Sequence, residues 1–347
     1  MNDQHLSTNL EKEMLQEFRQ AVDSGQRISV FGCRGRSLAL DPEIRRLPLG
    51  TANPAQLWAQ PEDLVVTADA RMSFRGLNEM LLKHHQWLPF EAPDGHDDSL
   101  AGAISAGVDT RFRGYGALRE RVLGLRVVTP GFGVIEVGAR VVKNVAGYNL
   151  PRLFMGVRGS LGIISQVTLK VSPLPPLRRS WRKTGTLEEM ALAAESCLHL
   201  AHPWAEIRLT RRDVEGPTEL WAEWHGITET VNKLEQGLDR PSQSPDGTAA
   251  MAPMAGLSTL GGGVPRRMSL ELIQRWQGGP VTLEWQTGSF FGQLPSEKAW
   301  EMMIWVREHA GGVRILSGPI WDQPRPPALE DAWRRLKNAY DPQGVLF

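Results

Sequence analysis

Gly159-Ser160-Leu161-Gly162-Ile163-Ile164-Ser165-Gln166-Val167-Thr168-Leu169-Lys170-Val171-Ser172-Pro173-Leu174-Pro175-Pro176 contains a strong strand signal and the break that follows it. Aliphatic and β-branched residues are frequent from Gly162 to Val171, which reads as a strong strand. The prolines at 173, 175 and 176 remove backbone donors and fix φ, so an element stops there and the chain stiffens. A domain boundary is expected at this point, with residues 1–174 before it and 177–347 after it. A chain of 347 residues exceeds the ~250–300 at which a single core usually stops growing.

Working back from that strand, Val122 to Thr129 and Val134 to Val137 are strand-like and are joined by Pro130-Gly131-Phe132-Gly133, a hairpin signal. Ser99 to Gly107 reads Ser-Leu-Ala-Gly-Ala-Ile-Ser-Ala-Gly, so something large can approach its backbone closely. Ser73 is placed to cap a helix carrying Phe74, Leu77 and Leu81. Leu64 to Ala68 reads as a strand, and so does Ile28 to Phe31. Leu10, Met14, Phe18 and Val22 recur at helical spacing ahead of Ser24-Gly25.

Beyond the prolines, helices are expected over 187–200, 296–310 and 328–339, the middle one with Trp300, Met303 and Ile304 on one face. Strands are expected over 207–209, 220–224, 281–285 and 313–316, and a mobile loop over 236–263. Local hairpins beside alternating helices and strands make both halves α+β.

Lys+Arg and Asp+Glu number 39 each, so no global field attracts nucleic acid. Two cysteines, Cys33 and Cys197, form no CxxC pair, which argues against a disulfide scaffold or a cysteine-ligated metal and for a reducing cytoplasm. No metal site is expected. The N-terminus lacks the apolar core of a signal peptide, and no apolar run reaches the ~20 residues of a membrane span. Walker, Rossmann and nucleophile-elbow patterns are absent.

Several features suit a dinucleotide. The loop Gly32-Cys33-Arg34-Gly35-Arg36-Ser37 follows a strand and can point amides at a diphosphate. A helix start at Ser99 offers N–H groups and a positive dipole end. Arg34, Arg36, Arg111 and Arg113 can neutralise phosphate. Gly159 and Gly162 allow a flat ring near the backbone.

Residues from about 29 to 174 resemble the FAD-binding domain of the vanillyl-alcohol-oxidase and p-cresol-methylhydroxylase (PCMH) flavoproteins. Lys143-Asn144-Val145-Ala146-Gly147-Tyr148-Asn149-Leu150-Pro151-Arg152-Leu153 resembles more narrowly the FAD-binding subunits of bacterial glycolate oxidases. So do Leu88-Pro89-Phe90-Glu91-Ala92-Pro93 and the ending Tyr340-Asp341-Pro342-Gln343-Gly344-Val345. The resemblance implies a two-domain flavoprotein with a PCMH-type domain and a C-terminal α+β cap, binding FAD non-covalently. Gly32, Cys33, Arg34, Gly35, Arg36 and Ser37 would grip the diphosphate together with Pro93, Ser99, Leu100, Ala101, Gly102, Ser105, Ala106 and Gly107. Arg113, Lys143, Gly159, Gly162, Ile163 and Ile164 would flank the rest of the cofactor. Ala101 stands where the family has glycine, and Cys33, Arg34 and Arg36 stand in a loop that usually has smaller residues.

The resemblance further implies oxidation of glycolate or a related 2-hydroxy acid, with a larger FAD-containing subunit and an iron–sulfur subunit as partners. Contact with the inner face of the cell membrane would come only through them. A self-sufficient D-lactate-type dehydrogenase and a scaffold subunit without FAD are the alternatives. The catalytic base is not legible: His199, His202, His225 and His309 form no cluster in the sequence.

Overall fold

The computed structural model describes residues 8–31, 43–50, 57–90, 99–107, 112–139, 149–200, 204–229, 231, 254, 256–317 and 327–346. Strand β8 (Ile163–Lys170), the strand of the opening stretch, lies at the centre of a five-stranded antiparallel sheet. Its neighbours are β4 (Val65–Asp69) and β6 (Val122–Thr129), with β3 (Leu57–Gln60) and β7 (Gly133–Gly138) outside them. The β6–β7 hairpin is the expected one, and Gly133 supplies its positive φ of 69°.

Both faces of this sheet are covered, which is why its central strands lack polar alternation. Helix α1 (Thr8–Ser24) packs Leu10, Met14 and Phe18 on one face against Val128 and Ile163. Behind them the Arg126 guanidinium meets the Glu11 carboxylate at 2.6 Å, and the Ser165 hydroxyl donates to the same carboxylate at 2.9 Å. Helices α2 (Phe74–Leu81) and α3 (Leu100–Ala106) cover the other face and share a core with Ile164 and Val167. Ser73 and Ser99 cap them, each Oγ accepting the N–H three residues on. A short β5 (Gln86–Trp87) pairs with β9 (Ser172–Pro173), and the one-turn α4 (Leu118–Arg121) leads into β6. β1 (Arg27–Phe31) and β2 (Ile44–Pro48) form a parallel pair apart from the main sheet.

The second half is one antiparallel sheet of seven strands. These are β10 (Leu177–Gly185), β11 (Trp204–Arg211), β12 (Thr218–Gly226), β13 (Leu257–Gly263), β14 (Val281–Glu284), β15 (Ser289–Pro295) and β16 (Gly312–Ser317). Their order is β10-β12-β11-β14-β15-β13-β16. Helices α5 (Leu187–His199), α6 (Ser269–Arg275) and α7 (Ser296–Glu308) bury one face in a core that includes Trp224 and Trp276.

Three expectations are corrected. β13 runs through the end of the segment read as a loop: Gly261, Gly262 and Gly263 pair with both β15 and β16, and Gly262 lets the Gly312 backbone come close. The loop's residues 236–253 lie outside the described set. On α7 the buried stripe is Ala299, Met302, Met303 and Val306, whereas Ile304 is 54% exposed. The last helix, α8 (Pro327–Tyr340), returns to the first half, where Trp333, Leu336 and Tyr340 pack on its core. The Lys337 ammonium there donates to the carbonyls of Ser160 and Leu346 and pairs with Asp341, and the Ile28 N–H donates to Val345. Packing therefore crosses the boundary expected at the prolines. Among the described residues no helix is long and apolar enough to cross a membrane.

Candidate functional site

The α3 segment has the cap foreseen for it, but its N-terminal donors are engaged within the chain. The Leu100 N–H donates to Met72, the Ala101 N–H to Ala70, the Gly102 N–H to the Ser99 hydroxyl and the Ala103 N–H to the Ser99 carbonyl. The expected free amides at this helix start are therefore absent, since α3 docks end-on against the turn after β4. Leu100 and Ala101 are core residues, and so are Ile163 and Ile164. A Cβ on Gly162 would fall 2.7 Å from Val127 and 2.8 Å from Thr129, so this glycine serves strand packing and not a flat ring. Gly159 has φ of 80° in the turn before β8. What α3 leaves half-buried is one row of small residues, Gly102, Ser105 and Ala106, followed by Gly107. Gly32 to Ser37, Pro93, Arg111 and Lys143 lie outside the described residues.

At the C-terminal end of α3 a cavity of about 640 Å³ opens between the halves. Gly107, Arg113 and Met155 line it from the first half; Gly261–Gly263, Thr287, Phe290 and Arg314 line it from the second. Among the described residues, its charged wall groups are Arg113, Arg119 and Arg314, with no carboxylate. Such a wall suits an anion, above all a carboxylate able to meet a guanidinium fork. Arg314 reaches across from β16 and donates to the Gly107 carbonyl at 3.3 Å. It fits because positions 107 and 156 have no side chain: a Cβ on Gly107 would lie 1.7 Å from its Nη1, and one on Gly156 2.5 Å.

Beneath the rim stands a carboxyl that sequence reading missed. Glu284, at the end of β14, accepts from the Thr287 N–H at 2.9 Å and the Thr287 hydroxyl at 2.6 Å. Burial pushes it up to about 7, with Glu206 reinforcing the rise against the Thr287 bonds.

The histidines take other places. Nδ1 of His225 lies 2.8 Å from the Tyr115 hydroxyl and its Nε2 lies 2.7 Å from Glu223. Arg178 donates to the same Glu223 oxygen at 2.7 Å and lies over the rings of Trp87 and Phe112. Burial works to raise the Glu223 carboxyl, but the His225 bond and the Arg178 charge outweigh it and hold it at about 2. His225 is not on the cavity wall. His309 stacks on Trp305, and His199 is exposed. His202 lies outside the described residues, among which no group of metal-binding side chains occurs.

Arg314, Thr287, Ser289 and Glu284 went unread because their roles depend on β14 to β16 meeting α3. The triple glycine at 261–263 was the available signal, of the same kind as the small-residue run at 99–107.

No protein-family model matches the chain. It is 34% identical over 131 residues to the glycolate oxidase subunit GlcE of Escherichia coli, a match covering 37% of each protein. It is 41% identical over 66 residues to the glycolate oxidase subunit GlcD of Bacillus subtilis, 19% of this chain and 14% of that one. Against the mitochondrial D-lactate dehydrogenase [cytochrome] of Arabidopsis thaliana it is 33% identical over 119 residues, 33% of this chain and 20% of the other. The matched stretch thus spans little more than a third of these relatives at most. In three dimensions the chain resembles alkyldihydroxyacetonephosphate synthase, with a TM-score of 0.65 at 14% identity, over 96% of this chain and 74% of that one. The expected α+β, PCMH-type fold is therefore the fold found.

Proposed function

We propose that this chain is the FAD-binding subunit of a glycolate oxidase complex, in which glycolate or a related 2-hydroxy acid is oxidised to the 2-oxo acid. The observation that carries the reading is that, among the described residues, the charged groups on the wall of the cavity between the halves are all arginines, beside the small-residue face of α3. The likeness to GlcE, GlcD and the D-lactate dehydrogenases supports the same substrate class and a larger flavoprotein subunit as partner.

The described residues offer the ring end of the cofactor a cavity of about 640 Å³ with Phe290 and Phe291 in its wall and open space beside Gly312. FAD is held there without a covalent link, a point that rests on the family resemblance. Its diphosphate falls to the loop Gly32–Ser37 and to Pro93, and Lys143 flanks the rest of the cofactor, from the family resemblance alone. Bound FAD would supply the hydride acceptor. Arg314 and Arg113 orient the substrate carboxylate, and the Thr287 and Ser289 hydroxyls meet its hydroxyl group. An iron–sulfur subunit then receives the electrons, and the complex works in the cytoplasm with any membrane contact through its partners.

One observation favours a second reading. This chain carries its own anion cavity with hydroxyl groups at the rim, as a self-sufficient 2-hydroxy-acid dehydrogenase requires. The visible spectrum of the purified chain, with flavin counted per chain, tests the cofactor, and a colourless protein after FAD supplementation would exclude it. Dye reduction by glycolate and by D-lactate then separates the readings. Turnover only on co-expression with the larger subunit supports the complex, and turnover by the chain alone supports the second.

A further inference from the structure

Glu284 is 6% exposed and has no part in the reading just given. One of its oxygens takes both Thr287 bonds, and the other has no hydrogen-bond partner among the described residues. Thr287 is exposed on the cavity wall beside Ser289, their hydroxyls 3.1 Å apart. Two hydroxyls therefore connect the open cavity with a carboxyl sealed behind it. Across the sheet, β11 sets Arg208 opposite Glu284, and that guanidinium is 3.0 Å from Glu206. One strand further on, β12 sets Glu223 opposite Glu206, with Arg178 and His225 bound to Glu223. On β15 the residue opposite Glu284 is the uncharged Ser289.

We propose that the cavity takes up a small hydroxy-carboxylate together with one proton, which resides on Glu284 while Thr287 links that carboxyl to the ligand's side of the wall. This rests on the reading of the cavity as a 2-hydroxy-acid site. A ligand carboxylate held by the arginines brings a negative charge close to a carboxyl already crowded by Glu206, in surroundings poor in water. The charged form of Glu284 is disfavoured further, and its proton affinity rises on binding. By linkage the ligand then binds more tightly to the protonated protein. Glu284 titrates at about 7 without ligand. Below that pH the proton is already in place and affinity is flat. Above it, affinity falls about tenfold per pH unit until the bound-state value is passed. A protonated Glu284 can itself donate to Thr287, freeing the threonine hydrogen to turn toward the ligand.

The test is calorimetric titration of glycolate into the flavin-loaded full chain from about pH 5.5 to about pH 8.5, in two buffers of different ionisation heat. We expect affinity to drop at least about tenfold across that range, with about half a proton or more taken up per glycolate between about pH 7 and pH 8. Glu284→Gln should bind with no pH dependence and no proton uptake. Infrared titration gives an independent readout. A protonated-carboxyl band should fade near neutral pH in the wild type, shift its midpoint upward with glycolate, and be missing in Glu284→Gln. If that variant does not fold, the glycolate-induced shift in the wild type still decides. Glycolate binding without pH dependence, or a band that ignores glycolate, overturns this inference and leaves the substrate reading standing. No glycolate binding at any pH overturns both.

Discussion

The Tyr115 hydroxyl lies 2.8 Å from Nδ1 of His225, joining the turn before α4 to the end of strand β12. With the His225 Nε2–H donating to the Glu223 carboxylate, the network assigns Nδ1 as acceptor from the phenol. Burial raises the Tyr115 phenol, so it stays a donor through the neutral range. Two halves whose sheets share no strand are thus tied by a polar line that runs from half-buried Tyr115 through buried His225 and Glu223 to Arg178.

Tyr115→Phe removes the donor and leaves Nδ1 buried and unpaired. We expect it to cost about 1–2 kcal/mol in urea unfolding, with secondary structure unchanged. An unchanged midpoint would mean that the contact does not couple the halves.

Glu223 is held at about 2 against an ordinary 4.5, so it stabilises the fold above the ordinary value. That contribution is lost as pH falls from 4.5 toward 2. Thermal midpoints should drop through this window in the wild type. Glu223→Gln should start lower at neutral pH and lose less on acidification, and parallel curves would assign the acid sensitivity elsewhere.

Gly107 and Gly156 have φ of 67° and 73° and flank the Arg314 guanidinium. Gly107→Ala should cost about 1–2 kcal/mol from backbone strain and displace Arg314. Glycolate affinity should then fall as it does in Arg314→Ala, and adding Gly107→Ala to Arg314→Ala should weaken binding little further. Additive binding losses would show that the two positions act separately.

The triple glycine of β13 divides sharply. A Cβ at Gly262 meets the Gly312 carbonyl oxygen at 2.2 Å, a backbone atom, whereas at Gly263 nothing is nearer than 3.7 Å. Gly262→Ala should destabilise by about 1–3 kcal/mol. Gly263→Ala should change stability by less than about 0.5 kcal/mol. Denaturant midpoints of the two variants check this, and equal values would refute the packing account.

Lys337 compensates Asp341, which is fully buried and accepts the Val345 and Leu346 N–H groups. Burial lowers the Lys337 ammonium, and its bond to Asp341 resists that shift. Lys337→Met should cost on the order of 3 kcal/mol by leaving a buried charge uncompensated. Hydrogen exchange at Ile28 should quicken as the C-terminal segment loosens.

The chain's own order already contained the local elements. Leu10, Met14 and Phe18 announced α1, Ser73 and Ser99 announced their caps, and the β-branched residues of 163–168 announced a strand, because periodicity and capping act within a few residues of each other. The anion wall was only partly legible. Arg113 and Gly107 were singled out, but Arg314, Thr287 and Glu284 were not, since a charge or a hydroxyl carries no sign of which distant residue it will face. Gly162 shows the converse: its missing side chain was read as room for a ring, and packing gave that room to Val127 and Thr129. Sequence alone determined α1, the two capped helices, the β6–β7 hairpin, β8 and the α+β class, through short-range sterics and hydrophobic spacing, whereas β10, β15 and α6 were not legible in it. Tertiary structure decided which amides were already spent at the start of α3, which glycines admit Arg314, and which carboxyl burial pushes upward, because desolvation and charge pairing depend on distances that only the closed fold sets.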